Sequence, residues 1–370
     1  MRICNRCVMD DLVDPDIQFD NDGVCNHCHR YSSLSRDRLN LDDGAFASII
    51  DGIKHRGRGK KYDCIVGVSG GVDSSYVAYL AAKSGLRVLA VHVDNGWNSE
   101  LAVRNIEQLV KVLGIPLRTV VLNWNEFKSL QIAFLRASTP DGEIPTDHAI
   151  YASLWRTAHQ TGTKTILSGM NFQTESIYVP SWSYGHMDSK YLRSVSLKNG
   201  GPEKFQSIPT ISLFDLTYFT FIRHIRSVSI LNYIPYVKQD VITTLRKELD
   251  WRPYEGKHFE SSYTKFYQGY VLPKQFNIDK RKGHLSDLIY SGQINRERAL
   301  RILSESPVTP SDTEDLKRFV CTKFGLSKED LEEIISTHPM DRSSYSSHIS
   351  TINKIKSGLR LLRRWGLYPK

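Results

Sequence analysis

An α/β protein built on a parallel sheet, with a small metal-binding ribbon before it and a helical lobe after it, is what these 370 residues predict. Three observations carry that reading. Between about residues 60 and 180, short β-branched runs alternate with helical patterns, as right-handed crossover units require. Four of the six cysteines fall into two pairs within the first 28 residues, an arrangement that points to metal before disulfides in a reducing compartment. From Leu213 onward the helical period dominates. The composition, 40% hydrophobic and 24% charged, is that of a globular protein. No run approaches the roughly 18 apolar residues of a membrane span. The start, "MRICNRCVMDD", lacks a signal-peptide apolar core, so the expected location is cytoplasmic. A formal charge of +9 suits a polyanion, a nucleotide-linked substrate or an acidic partner, and equally a basic solvated surface.

Residues 1–30 read as the ribbon. "CNRC" and "CNHC", with residues 8–24 between them, have the spacing of two zinc knuckles, so Cys4, Cys7, Cys25 and Cys28 are expected to hold one Zn²⁺. An iron–sulfur cluster is the rival occupant. His27 and His29 are then superfluous as ligands and read as surface residues. Residues 31–59 form a polar linker with one short helix around 44–53. The α/β domain, 60–180, opens with the strand "DCIVGVS" and the helix "GVDSSYVAYLAAKSG", which stops on Gly85. "LRVLAVHVD" is the second strand. "NSELAVRNIEQLVKVLG" is a helix capped by Asn98 or Ser99 and stopped by Gly114, and "LRTVVLN" is the third strand. A helix over 124–136, the loop "ASTPDGEIPTD", a helix over 147–161 and the strand "KTILSG" complete the alternation. Residues 181–370 are assigned to a lid loop and a mainly helical substrate or partner lobe, the irregular stretch after Met170 being too long for a plain connector. Cys64 in the first strand and Cys321 in an amphipathic helix read as small buried hydrophobes.

The turn "GVSGGVDSS", residues 67–75, ends the first strand and starts a helix, which is where backbone N–H groups and the helix dipole favour an anion. It lacks the lysine of G-x-x-x-x-G-K-[ST], so it is not a Walker loop. "SGGVDSS" resembles the PP-loop of the N-type ATP pyrophosphatases, Rossmann-like enzymes that cleave ATP to AMP and pyrophosphate. The resemblance implies that Ser69, Gly70, Gly71 and Ser74 hold the leaving pyrophosphate and that Asp73 helps place Mg²⁺. It also implies that adenine meets the backbone near Val93 in "VHVDNG", with Asp94 near the ribose or metal, and that Gly169 in "LSGMN" flanks the nucleotide. For these last positions an ordinary strand end is the equal alternative.

Residues 251–300, together with this loop, "STPDGEIPTDHAIYASLWRTA", "ILSGMNFQTES" and the cysteine knuckles, resemble the N-acetyl sugar amidotransferases of bacterial surface-polysaccharide (O-antigen) synthesis. That resemblance implies conversion of an acetamido group on a nucleotide-linked sugar to an acetamidino group, using ATP and ammonia. Adenylation of the amide oxygen would create an imidate that ammonia attacks. Lys257 is the candidate to steady the α-phosphate, with His258, Lys274, Lys280 and Arg281 behind it; Asp147 and His148 either bind substrate or simply begin a helix. The resemblance further implies a separate glutaminase and an ammonia-carrying barrel subunit similar to imidazole glycerol phosphate synthase, because Arg2 at position 2 and the settings of Cys64 and Cys321 offer no glutaminase nucleophile. The basic C-terminal stretch with Lys354, Lys356, Arg360, Arg363 and Arg364 is a candidate partner surface, against the alternative of a solvated terminal helix. Two other functions compete. A tRNA-thiolating enzyme would need more free thiols near the loop, and a zinc-ribbon RNA-binding protein would leave the loop without a purpose; nucleic acid is not the expected partner.

Overall fold

A computed structural model describes residues 1–254, 260–352, 354, 357 and 358. Five parallel strands, β1 (Cys64–Gly67), β2 (Val88–Asp94), β3 (Leu117–Val121), β4 (Thr165–Leu167) and β5 (Arg226–Val228), form one sheet in the order β3-β2-β1-β4-β5. β1 is central, with Cys64 beside Val88 of β2 and Ile65 beside Ile166 of β4. The chain leaves β1 toward β2 and β3, then returns to the other side of β1 to lay down β4. Connections at the C-terminal ends of β1 and β4 therefore diverge and leave a crevice, the place where α/β sheets bind ligands.

Alternation along β1 sends Cys64 and Val66 to one face and Ile65 to the other. The first face packs on α3 (Val72–Lys83), α4 (Glu100–Leu113) and α9 (Lys238–Leu249), through Val77, Ala78, Ile106, Leu109, Val241 and Leu245. Ile65, Leu89 and Val91 pack on Ala152, Trp155 and Ala158 of α6 (Ile144–Thr161). Both faces are covered at β1, β2 and β4, which is why these three strands are rich in apolar residues, whereas the outer strands β3 and β5 are largely exposed. Ser99 caps α4 by accepting from Ala102 N at 3.1 Å, and Gly114 ends it at φ +61°. Helix α5 (Trp124–Arg136) follows β3 with the expected bounds.

Four expectations are corrected. The linker is not mainly unstructured: α1 (Asn26–Arg38) runs out of the ribbon and α2 (Ala45–Arg56) follows it. The stretch after Met170 contains α7 (Ser189–Lys198), and its Val179, Trp182, Tyr191, Leu192 and Val195 belong to the largest core cluster, so it is packed structure rather than a free lid. A fifth strand, β5, sits in a segment read as helical, after α8 (Leu213–Thr217) and a π-helical turn, Tyr218–Ile222. His27 is not a surface residue; it is buried and its Nε2 lies 2.7 Å from Asp14 Oδ2.

The C-terminal part is helical: α10 (Ser262–Phe266) continues through a π turn into α11 (Leu272–Phe276), followed by α12 (Arg281–Tyr290), α13 (Arg296–Ser304), α14 (Pro310–Phe324) and α15 (Lys328–Ser336). The ribbon rests on α12 and α13. Val8 packs with Leu285 and Ala299, Arg296 Nε donates to the carbonyls of Cys4 (3.2 Å) and Cys7 (3.0 Å), and Lys282 pairs with Asp10. Among the described residues no helix is long and apolar enough to cross a membrane.

Candidate functional site

The crevice at the sheet's switch point is a cavity of about 220 Å³. Ser69, Gly71, Asp73, Ser74 and Gly169 line it together, although Gly169 comes from a different strand end. Gly70 turns the loop at φ +83°, a conformation that favours glycine. Its carbonyl is drawn away by Trp251 Nε1 (2.9 Å), Tyr254 OH (3.2 Å) and Asn105 Nδ2 (3.4 Å). Since the peptide is planar and trans, the next N–H, of Gly71, points the other way and donates to Ser69 Oγ at 3.3 Å. Ser74 Oγ accepts from Ser69 N at 3.3 Å and donates to the Gly71 carbonyl at 3.2 Å. The result is a closed turn over the N-terminus of α3, where first-turn N–H groups, which have no acceptor within a helix, and the dipole favour negative charge. Gly169 lies close against the loop: a Cβ there would stand 3.3 Å from Ser74 N, so a side chain would need the loop to shift slightly.

Charged groups complete the cavity. Asp73 is in the first turn of α3 and accepts a hydrogen bond from the buried Tyr236 hydroxyl. Burial, and then the Asp73 charge, push the Tyr236 hydroxyl well above its usual pKa, so it stays protonated and donates. Glu175, Lys238 and Glu260 also line the cavity, and Glu260 Oε1 lies 3.5 Å from Ser69 Oγ. Carboxylate and hydroxyl oxygens of this kind suit a hard divalent cation such as Mg²⁺ bridging to phosphates.

The remaining candidates fall elsewhere. Val93 and Asp94 end β2 but do not line this cavity; Asp94 Oδ1 accepts from Gly96 N at 3.0 Å and from Asn98 Nδ2 at 3.3 Å. Lys257 and His258 lie outside the described residues, as does most of the basic C-terminal stretch, of which Lys354 is described. Lys274, Lys280 and Arg281 are engaged with Glu332 (2.6 Å), Glu143 (3.0 Å) and Asp279 (2.8 Å), and none lines the cavity. Asp147 is exposed in the first turn of α6. His148 is wholly buried: its Nδ1 donates to His186 O at 2.8 Å and its Nε2 accepts from Ile211 N at 3.2 Å, so both ring nitrogens are spent on structure. Lys238 and Tyr236 carry no sequence signal, because each comes from a segment far from the glycine turn, and Glu175 and Glu260 lie in the stretches that carry the family resemblance without being singled out.

Cys4, Cys7, Cys25 and Cys28 are buried with their Sγ atoms all within 4.8 Å of one another. Cys4–Cys28, Cys7–Cys25 and Cys25–Cys28 are 3.7, 3.6 and 3.7 Å apart. Thiolates set tetrahedrally about 2.3 Å from zinc stand about 3.8 Å apart, so the residues fit the ion. Backbone N–H groups of Cys25 (3.3 Å) and Arg6 (3.4 Å) also donate to Cys4 Sγ, which favours a thiolate.

The sheet order, the lysine-free glycine turn and the acidic cavity define a nucleotide-binding α/β domain of the PP-loop type. Consistently, the family model of NAD synthase matches residues 47–134. The model described as "LPS biosynthesis protein WbpG-like, C-terminal domain" matches residues 260–356, so a WbpG-like segment follows the PP-loop domain. None of the curated proteins matches the chain. Among solved structures, NMN synthetase from Francisella tularensis is similar at 11% identity, with a TM-score of 0.31 over 62% of this chain and 99% of that one.

Proposed function

We propose that this chain is an ATP-dependent, AMP- and pyrophosphate-forming amidotransferase that converts an acetamido group of a nucleotide-linked sugar to an acetamidino group. The observation that carries the ATP part is the closed glycine turn at the switch point, facing Asp73, Glu175, Glu260 and Lys238 across one cavity. Ser69, Gly70, Gly71 and Ser74 would receive the β- and γ-phosphates, leaving the α-phosphorus open to attack by the amide oxygen. Asp73, with Glu175 and Glu260 nearby, would hold Mg²⁺, whose charge offsets that of the phosphates. Lys238 would steady the α-phosphate from the start of α9, alongside or in place of Lys257, and Gly169 would let the nucleotide pass close to β4. The adenosine end is assigned to the C-terminal end of β2, toward Val93 and Asp94. Ammonia would displace AMP from the adenylated imidate, and the WbpG-like domain is the reason for choosing a polysaccharide sugar as the acceptor.

The test is incubation of the chain with ATP, Mg²⁺, ammonium and a panel of nucleotide-linked acetamido sugars. The expected product has NH in place of the acetamido oxygen, with AMP and pyrophosphate formed in equal amounts. Formation of ADP, or thiolation of added tRNA with no sugar product, would overturn the assignment.

A further inference from the structure

Residues 234–238 link the end of the 3₁₀ turn Ile230–Tyr233 to α9 and carry two groups of the nucleotide cavity, Tyr236 beneath Asp73 and Lys238 at its wall. This segment is held by two side-chain amides acting as substitute strands. Gln173, just past β4, accepts from Tyr236 N at 3.2 Å through Oε1 and donates from Nε2 to Ile234 O at 3.1 Å. Gln293, which follows α12, donates from Nε2 to Tyr236 O at 3.1 Å and accepts Lys238 N through Oε1 at 2.9 Å. Each glutamine thus makes the two-point contact that a neighbouring strand would make. Gln293 lies within the WbpG-like match, whereas Gln173 belongs to the loop that follows β4.

We infer that residues 234–238 form a positioning strap for the nucleotide site, tied to the C-terminal domain by Gln293. Tyr236 fixes one carboxylate oxygen of Asp73, so the other has a set direction for metal and phosphate. Gln293 fixes the backbone of both Tyr236 and Lys238, so a shift of the C-terminal domain reaches the metal carboxylate and the cavity lysine together. Tyr236 and Gln293 are positioning residues, and the inference rests on the nucleotide assignment above.

The test is the binding of α,β-methylene-ATP to the full chain at a series of Mg²⁺ concentrations, compared among the wild type, Tyr236→Phe and Gln293→Met, with thermal melting measured alongside. Tyr236→Phe is expected to raise the Mg²⁺ midpoint roughly tenfold, the weight of one hydrogen bond to a charged group, and to leave metal-free nucleotide affinity unchanged. Gln293→Met should raise the midpoint and also weaken metal-free binding, because Lys238 N loses its acceptor. A merely structural role would lower the melting temperature without separating these two readouts. Failure of the wild type to bind the nucleotide at any Mg²⁺ concentration overturns the nucleotide assignment, and the strap with it. Wild-type binding with unshifted midpoints in both variants overturns the strap alone. Should Tyr236→Phe not fold, an unshifted midpoint in Gln293→Met is sufficient to overturn it.

Discussion

A Cβ at Gly70 would stand 2.7 Å from the Ala102 carbonyl oxygen and 3.1 Å from the Tyr254 hydroxyl, so neither the φ of +83° nor the space around this residue tolerates a side chain. The glycine turn is thus fixed by the steric demands at Gly70, which is why it is legible in the sequence. His148 shows the opposite case, a residue whose chemistry suggested function and whose surroundings assign it to structure. Burial pushes its pKa down to about 4, against the usual value near 6.5. The folded state therefore resists the proton that the unfolded chain accepts. Above about pH 6.5 both states are neutral at this group; as pH falls from there to about 4 the unfolded state is favoured, and below that both are protonated and the loss levels off. We predict that this one histidine costs the fold about 3 kcal/mol between pH 7 and pH 4. His148→Asn keeps a donor for His186 O but loses the acceptor for Ile211 N, so it should be less stable at pH 7. The wild type's advantage should shrink on acidification, as read from melting temperatures across that range. A gap that stays constant with pH would show that His148 does not titrate as described.

At the scale of elements, the ribbon buttresses the helices it rests on rather than forming an appendage. Its knuckle carbonyls accept from Arg296, its Val8 completes an apolar cluster with Leu285 and Ala299, and its Asp10 pairs with Lys282. Folding energy at a four-thiolate site comes largely from the metal. We expect one zinc per chain, and removal by a chelator or by Cys25→Ser should speed hydrogen exchange in residues 1–30 and also across 282–300. Exchange that rises only in the ribbon would show that it supports nothing beyond itself. Sequence alone revealed the four-cysteine cluster and the elements from β1 to β4, because paired cysteines, capping residues and alternating apolar runs are local signals. It missed α1, whose sequence "NHCHRYSSLSRDR" has a weak apolar stripe, and β5, where three residues, Arg226–Val228, gain strand character only by pairing with β4. The cavity's other wall was equally hidden. Lys238 and Tyr236 meet the loop through tertiary packing, and nothing in their own neighbourhoods marks them, while Glu260 lies in a segment whose neighbouring basic residues, not its carboxylate, drew attention.

At the scale of the whole molecule, the question is where nitrogen comes from. Glutamine hydrolysis by a cysteine nucleophile needs a thiolate that is exposed and activated. All six cysteines are buried, and four converge on the proposed zinc site. Cys64 is enclosed in β1, where burial pushes its thiol well above the usual pKa. Cys321, in α14, has its thiol raised chiefly by burial, and Sγ points at Ser327 O at 3.5 Å. Cys64 sits in a strand and Cys321 in a helix, neither on a turn. If the proposed amidotransferase reading holds, these six thiols offer no glutaminase nucleophile, and the ammonia would come from solution or from the proposed separate glutaminase and barrel subunits. We therefore predict that the isolated chain makes its amidine product with ammonium salts and not with glutamine. The rate should rise with pH toward the ammonium pKa, as free NH₃ increases. Glutamine should become a donor only when a glutaminase and a channelling subunit are added. Product formation is measured with each nitrogen source, with and without Cys64→Ala and Cys321→Ala. Glutamine-supported turnover by the purified chain that is lost in either variant would show that one of these thiols is a nucleophile and that the chain carries its own glutaminase.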